Sequence, residues 1–483
     1  MWKTLLQSFW YSFTDIFNMK NGDARGRSLN LMSGILCSLY NVFITGIFYT
    51  GFLTMYGIDI TGMGIVSFIP SIASMFSIFS SKVLSRFKNK KAIILACRIY
   101  FHFMYIVAIN LMPLIVKDPQ GRLIWFCIIL FLAYAVNAIF APGLTVWMYQ
   151  LYPKESHRRS RYFMYTSICS SVVSSVIMFL SGLLTDAVAG SPFQQTLIIG
   201  LRYFSFVLVL VELLILIKIE AKPIEMSGDL KIRDIFIKPF KYRKFMYCMV
   251  FMFIWNYVGN LNSGVWSYHL LNHMNFSYTL LNTMSVVNTV ILTLISGLWN
   301  KVLRRLSWMR TFAVGCLIFV PTEFLFFMMS KQSGWIYVPN SIIQTIASVG
   351  LNLAYGNVLY MNLPKEDSTT HIAFNTIGCN LFAFLGLVTG TAISSISGDT
   401  MMNFMGMQLY SIQFTTLMRG VALFAIGVVL MKYWRVFTND EEVEAVERDE
   451  AARRNMAKIR GPIDLGYVLR YARGKMRAMF RKG

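Results

Sequence analysis

The chain has 483 residues, of which 56% are hydrophobic and only 14% charged, and its mean hydropathy is +0.54. A soluble domain needs more polar surface than this composition supplies, so soluble enzymes and soluble binding domains are excluded. The formal charge of +22 would suit a nucleic-acid-binding protein, but the basic residues lie in short connections between apolar stretches and in the tails. We therefore expect no nucleic-acid partner.

Residues 1–27 form an amphipathic segment at the start of the chain. Large apolar side chains such as Trp2, Phe9 and Phe13 recur at helical spacing over residues 1–18, with polar side chains between them. The segment has neither a continuous apolar core nor a small-residue cleavage motif, as a secretory signal would. The pattern predicts a helix that lies in the membrane interface.

Twelve apolar stretches follow, each long enough to cross the roughly 30 Å hydrocarbon layer of a bilayer. We number them spans one to twelve, and they cover residues 29–55, 61–81, 92–116, 123–149, 162–185, 197–218, 245–270, 277–299, 309–330, 335–361, 371–394 and 409–432. Only helices or closed barrels satisfy their backbone groups in lipid. The sequence therefore predicts an all-α membrane protein with twelve transmembrane helices.

The charges of the connections predict the orientation. Connections 82–91 and 153–161 carry several Lys and Arg residues, whereas 56–60 and 271–276 carry none. Basic connections stay on the cytoplasmic side of a membrane. We therefore expect both termini in the cytoplasm and the protein in the plasma (inner) membrane.

A charged connection at 219–244 contains Pro223 and Pro239 and mixes acidic with basic residues. We interpret it as a cytoplasmic linker between two six-helix bundles. The bundles would then cover residues 28–218 and 245–434.

The end of the chain, residues 435–483, is predicted to be a cytoplasmic tail. Within it, residues 465–482 place apolar side chains against several Arg and Lys residues at helical spacing. Such a basic amphipathic helix favours binding to anionic lipids, with a solvated tail as the alternative.

The second six spans repeat the first six. Four matches occur in the same order, and they are Tyr40-Asn41 with Trp255-Asn256, Lys82 to Arg86 with Lys301 to Arg305, Pro153-Lys154-Glu155 with Pro364-Lys365-Glu366, and Arg202 with Arg419. The partners are separated by 211 to 219 residues and fall at equivalent positions of the two bundles. We infer that the chain is an internal duplication.

This arrangement, with cytoplasmic termini and a charged central connection, resembles the major facilitator superfamily of secondary transporters over residues 27–434. The family often shows the pattern G-x-x-x-D-R-x-G-R-R after its second helix. Aligned on Arg86, this chain keeps the arginine and the basic character but has Ser81 and Ser85 where the pattern has Gly and Asp. The resemblance implies two bundles that rock about a site in the middle of the membrane. It also implies a monomer with Arg86 and Arg305 in gating loops.

Polar residues are costly inside lipid, so their positions are informative. The resemblance implies that spans one, four, seven and ten line the cavity. The polar and aromatic candidates on these spans are Asn41, Thr45, Tyr49, Asn137, Trp255, Asn256, Asn260, Gln344, Asn352 and Tyr355. Amides and aromatic rings suit a small polar or amphipathic organic solute. The alternative is that these side chains join helices to one another.

Few charged residues lie inside the spans. Glu323 and Glu212 are the two carboxylates that could take up a coupling proton, although a structural pairing with an arginine is an equal alternative for each. Arg98, close to a basic connection, is expected to extend to the interface. A coupling proton or cation is therefore a possible partner.

A membrane enzyme, an exporter and a non-transporting sensor are the alternatives to this carrier. A membrane enzyme would need an acid/base or metal constellation, and no His lies at ligand spacing from a carboxylate; even His269 and His273, four residues apart, lack an acidic third ligand nearby in sequence. No P-loop is present, and we expect neither a cofactor nor a metal. An exporter of drug-like compounds or metabolites, and a sensor or scaffold that does not transport, stay open.

Overall fold

The computed structural model describes residues 13–19, 22–153, 155–220, 232–303, 306–364, 368–404, 406–438, 443–444 and 446–448. Four predicted features fall wholly or partly outside this part of the chain, namely most of the interfacial segment, residues 221–231 of the linker, the basic tail helix and the loop residue Arg305. The described residues are almost entirely helical, with one short hairpin.

The first bundle contains the six predicted spans. Their helices are Gly22–Ile44 and Gly46–Met55 for span one, Ile60–Ser74, Met75–Phe79 and Ser80–Leu84 for span two, Lys90–His102, Phe103–Ala108 and Ile109–Ile115 for span three, Pro119–Tyr149 for span four, Ser156–Ala187 for span five and Pro192–Ile217 for span six. Pro119 and Pro192 stand in the first turn of their helices, where the missing N–H has no helical partner to lose. All six spans are long and apolar enough to cross a membrane.

The second bundle begins after the short helices Ile232–Ile237 and Lys238–Lys241. Its spans eight to twelve are Tyr278–Leu303, Trp308–Phe327, Tyr337–Met361 with a preceding turn Gly334–Ile336, Ser368–Ser395 and Gln413–Phe437, the last of which is kinked at Tyr433. An antiparallel hairpin, Met402–Phe404 with Met407–Leu409, lies between the last two and pairs Asn403 with Gln408. With these five, the described residues contain eleven helices that are long and apolar enough to cross a membrane.

Span seven is interrupted. The predicted stretch 245–270 forms the helix Arg243–Asn260, then a turn, the short helix Trp266–Tyr268 and a π-turn over His269–His273. Its first helix carries basic and amide residues, so it is not one of the eleven strongly apolar helices. Irregular backbone at membrane depth is tolerated only where protein or a cavity surrounds it.

Span one is interrupted at the equivalent place. Its first helix ends at Ile44, Thr45 is extended with φ −124° and ψ 177°, and Gly46 has φ +58°. That left-handed φ favours glycine, because a Cβ atom there would strain the backbone. The break at Thr45 and the break after Asn260 lie 215 residues apart, which matches the internal repeat.

The two bundles contact each other near the short connections 56–60 and 271–276. A methyl group at Gly64 would overlap the side chain of Thr391, so spans two and eleven approach closely there. The Asp186 carboxylate at the end of span five accepts hydrogen bonds from the backbone N–H of Tyr278 (3.0 Å) and Thr279 (2.7 Å) at the start of span eight. An acidic residue at this end of a helix also favours its dipole.

The described part of the interfacial segment packs on span five. Ile16 and Phe17 are buried in a small cluster with Tyr162 and Tyr165. Asp15 forms an ion pair with Arg158 at 2.8 Å. This end of the segment is therefore held by the first bundle.

Candidate functional site

Two cavities meet at the break in span one, and Thr45 and Gly46 line both. Cavity A has a volume of about 340 Å³, and cavity B has a volume of about 370 Å³. Both are walled by residues from the two bundles, so the breaks in spans one and seven open onto space between the halves.

Cavity A is lined largely by hydroxyl and amide groups on one side and by apolar residues on the other. Its polar lining includes Thr45, Tyr49, Ser67, Tyr105, Tyr134 and Asn260. The Tyr49 hydroxyl is buried and has no hydrogen-bond partner among the described residues. Cavity A can therefore offer a free donor to a polar solute.

Cavity B lies toward the second bundle. Its polar lining includes Ser267, Asn282, Ser285, Ser341 and Gln344, and Trp266 and Phe326 supply aromatic surface. Asn282 is buried and its Nδ2 is unpartnered within the described part of the chain. Spans two, three, eight and nine also contribute walls, in addition to the spans that the family resemblance implied.

Of the ten predicted solute-binding residues, four line these cavities, namely Thr45, Tyr49, Asn260 and Gln344. Asn256 and Tyr355 instead bond to each other, with Asn256 Nδ2 donating to the Tyr355 hydroxyl at 2.6 Å. Trp255 packs edge-on against Phe312, with ring centroids 4.7 Å apart. These three join spans of the second bundle.

The other predicted residues lie away from both cavities. Asn41 donates to Cys37 Sγ at 3.3 Å, and Asn137 is half-buried. Asn352 is exposed. Arg86, the predicted gating residue, is exposed at the end of span two.

Glu323 is fully buried and connects cavity B to the break in span seven. Its Oε1 accepts from Gln344 Nε2 at 3.0 Å and lies 3.4 Å from Arg419 Nη2. Arg419 Nη1 in turn donates to Asn262 Oδ1 at 2.7 Å. Glu323 Oε2 has no partner among the described residues. This carboxylate therefore keeps one oxygen available for a proton or a donor.

Glu212 has a different environment. Arg98 donates to both of its oxygens, with Nη2 to Oε1 at 2.7 Å and Nε to Oε2 at 3.2 Å. Ser33 and Tyr40 donate to the same carboxylate at 2.7 and 3.1 Å. The expectation that Arg98 extends to the interface is wrong, because its guanidinium turns inward to this buried acid. A carboxylate with four donors is well suited to a fixed structural pair.

Arg202, the repeat partner of Arg419, is fully buried but has no carboxylate partner among the described residues. Its Nε donates to Asn110 Oδ1 at 3.0 Å and its Nη2 to the Tyr105 carbonyl at 2.9 Å. The guanidinium stacks on Phe52 at 4.1 Å from the ring centroid. The internal repeat singled Arg202 out, but no feature of the sequence indicated that it lies deep inside the bundle beside Tyr49.

The histidines of span seven are not isolated from acids. His273 Nε2 lies 2.9 Å from Asp399 Oδ1, and His273 Nδ1 lies 3.0 Å from His269 Nδ1. The sequence missed this acid because 126 residues separate it from His273. The three groups form a hydrogen-bonded row, but neither they nor any other group of His, Cys, Asp or Glu residues in the described part of the chain is arranged to hold a metal ion.

Residues 31–387 match the sequence model of the Major Facilitator Superfamily. No curated protein matches the chain by sequence. Similar solved structures include the xylose transporter XylE from E. coli in an inward-open conformation, with 11% identity, a TM-score of 0.61 and coverage of 86% of this chain and 98% of that one. A bacterial homologue of the iron transporter ferroportin has 11% identity, a TM-score of 0.63 and coverage of 84% of this chain and 98% of that one. The nucleoside transporter NupG has 12% identity, a TM-score of 0.57 and coverage of 85% of this chain and 98% of that one.

Proposed function

This chain belongs to the Major Facilitator Superfamily, and from that premise we propose that it is a secondary active transporter of a small polar or amphipathic organic solute. One observation carries the proposal. Cavities A and B join at two helix breaks that the internal repeat relates, and side chains of both bundles line them. Discontinuous helices around a central site are the arrangement that alternating access uses.

The proposed solute contacts are the four predicted residues that reach the cavities, Thr45, Tyr49, Asn260 and Gln344. Their hydroxyl and amide groups suit hydrogen bonding to an organic molecule. The remaining predicted residues would then support the site by joining helices. The direction of transport in this proposal is open to both uptake and export, including export of drug-like compounds.

We propose Glu323 rather than Glu212 as the group that couples transport to protons. Glu323 reaches cavity B through Gln344 and has an unpartnered oxygen, whereas four donors hold Glu212. Exchange of Glu323 for Gln should therefore abolish the response of flux to a pH gradient and leave solute exchange at equal pH intact. Unchanged sensitivity to the gradient in Glu323→Gln would contradict this assignment.

Our proposal for the membrane and the orientation of the protein rests on the charges of its connections. We propose that the basic connections hold both termini in the cytoplasm and the protein in the plasma membrane, with a linker at 219–244 joining the two bundles. The basic tail would bind anionic lipids, and the carrier would work as a monomer.

Flux through the purified chain in liposomes tests the function. Radiolabelled xylose, uridine, alanyl-alanine and benzoate serve as probes, the first two because similar structures are a xylose and a nucleoside transporter. A cysteine pair in place of Thr54 and Asn272, whose side chains lie 3.4 Å apart on spans one and seven where the bundles meet, provides the control. Oxidation of this pair should stop flux of the transported probe, and a reductant should restore it.

The matched controls are the two single-cysteine variants under the same oxidation. Binding of a probe without any flux would favour the alternative of a sensor or scaffold. Flux that continues in the oxidised pair would contradict alternating access at these cavities.

A further inference from the structure

A buried cation with no acidic partner among the described residues lies behind the wall of cavity A. Arg202 is 0% exposed, and its polar partners in the described chain are an amide oxygen and a backbone carbonyl. Taking a charge out of water is expensive unless an opposite charge or a metal compensates it. Ionisable residues inside a membrane protein accordingly mark solute pathways more often than they serve as ordinary packing.

The internal repeat supplies a reference for this environment. Arg419, the partner of Arg202, has Glu323 beside it, and Glu323 lies 213 residues after Asn110. That offset falls within the range of the repeat. Asn110 therefore holds, in the first bundle, the place that a carboxylate holds in the second.

Three donor groups around Arg202 are buried and unpartnered within the described residues. They are Arg202 Nη1, Asn110 Nδ2 and the Tyr49 hydroxyl. Each is a donor, so an acceptor would satisfy them. Tyr49 and Tyr105 line cavity A, and the guanidinium lies 5.5 and 5.8 Å from their ring centroids. The positive charge is thus one side chain away from the cavity.

The break in span one adds a second positive feature. The helix Gly46–Met55 starts at the wall of cavity A, and its N-cap residue Thr45 makes no side-chain capping bond. The first-turn N–H groups of a helix have no partner within that helix, and its N-terminus attracts anions. Helix start, Tyr49 hydroxyl and Arg202 all favour negative charge on the same side of cavity A.

We propose that cavity A binds the anionic group of the solute, a single carboxylate or phosphate, with the Tyr49 hydroxyl as a direct donor and Arg202 as the charge behind it. This proposal rests on the proposed function and specifies its substrate class as small organic anions with a single carboxylate or phosphate group. The neutral part of the solute would extend into cavity B, past Thr45 and toward the aromatic surface of Trp266 and Phe326.

Matched probes separate charge from shape. Benzoate and phenyl phosphate are the anions, benzamide is the neutral isostere of benzoate, and each is titrated against the full purified chain by tryptophan fluorescence and by thermal unfolding. Benzoate and phenyl phosphate should bind at least ten times more tightly than benzamide. Equal affinity for benzoate and benzamide, or absence of binding by both anions, would overturn the proposal.

Asn110→Asp is the decisive variant, because it places a carboxylate 3.0 Å from Arg202 Nε without a change in side-chain size. It should weaken benzoate and phenyl phosphate binding at least tenfold and leave benzamide binding unchanged. Arg202→Gln should weaken the anions likewise. Because Asn110→Asp supplies Arg202 with a counterion, we do not expect it to unfold the protein, and the melting curve of the variant checks this directly. Loss of binding in the folded variant then reflects the added charge.

Arg122→Gln is the control. This arginine bonds the carbonyls of Val116 and Tyr56 outside cavity A, so its exchange should leave anion binding unchanged. Wild-type anion affinity in Asn110→Asp would overturn the proposal. In that event, flux of neutral xylose or uridine would still support a carrier, whereas absence of flux for every probe would count against the proposed function itself.

Discussion

Arg202 and Arg419 occupy equivalent places in the two bundles but have different partners. Arg419 lies beside the buried carboxylate of Glu323, whereas Arg202 has the amide of Asn110 at the corresponding place. Among the described residues, the repeated arginine is therefore present in both halves but has an acidic partner in one half only. Charge compensation within the protein is complete in the second bundle and depends on another anion in the first.

This difference indicates a division of work. A carboxylate that is held by Arg419 and by Gln344 at cavity B can change its protonation while the arginine stays in place. Arg202, which has no acidic partner among the described residues, cannot take part in proton coupling because an arginine stays protonated, but it attracts an anion from the adjacent cavity. The second bundle is thus suited to a coupling proton and the first bundle to the solute.

The largest expected effect comes from removal of the acid in the second bundle. Glu323→Ala leaves the partly buried Arg419 with Asn262 as its only hydrogen-bonding side chain among the described residues. Loss of one partner of a buried ion pair typically destabilises a protein by about 3–5 kcal/mol. The melting temperature in detergent should fall accordingly.

A double variant serves as the control for this prediction. Glu323→Ala combined with Arg419→Met removes both charges, so it should be clearly more stable than the single variant. If the single variant melts at the wild-type temperature, Glu323 and Arg419 do not form a stabilising pair.

A smaller effect, of opposite sign, is expected from an acid in the first bundle. Asn110→Asp replaces the neutral amide that accepts from Arg202 with a carboxylate, so the buried cation gains an opposite charge that compensates part of its desolvation cost. Without any ligand, the variant should melt above the wild type. Asn110→Leu, which removes the acceptor, should melt below it.

A lower melting temperature in Asn110→Asp would mean that an anion other than a side chain already compensates Arg202 in the purified protein. Removal of bound anions by ion-exchange chromatography before the measurement tests this explanation. If a bound anion is the cause, the difference in melting temperature between the variant and the wild type should disappear in the washed samples. Both results therefore show how the surroundings of Arg202 differ from those of Arg419.

Much of the fold could be predicted from the sequence. Long apolar stretches and the repeat of Arg202 in Arg419 predicted helices and duplication, because hydrophobic length and internal similarity are properties of the chain itself. The break at Gly46 could not be predicted, since it depends on φ at one residue that lies in an apolar run. The interruption of span seven could not be predicted either, because the break lies inside a longer stretch that has the length of a span.

The site was less accessible to sequence reasoning. Polar residues are rare in spans, and this local signal is enough to single out the four predicted residues that line the cavities, Thr45, Tyr49, Asn260 and Gln344. Partnerships are not local. Arg98 with Glu212, and His273 with Asp399, join residues more than a hundred positions apart, so only tertiary packing brings them together.

The smallest effect tests which amides bind solute and which join helices. Tyr355→Phe removes the hydroxyl that accepts from Asn256 at 2.6 Å, outside both cavities. It should lower stability by about 1 kcal/mol and leave the affinity for benzoate unchanged, because one neutral hydrogen bond between helices is lost. Asn260→Ala, at the wall of cavity A, should lower that affinity severalfold with a similar loss of stability. If Tyr355→Phe weakens binding as much as Asn260→Ala, the solute site extends along span ten beyond cavities A and B, and the boundary between solute contacts and helix contacts lies deeper in the second bundle.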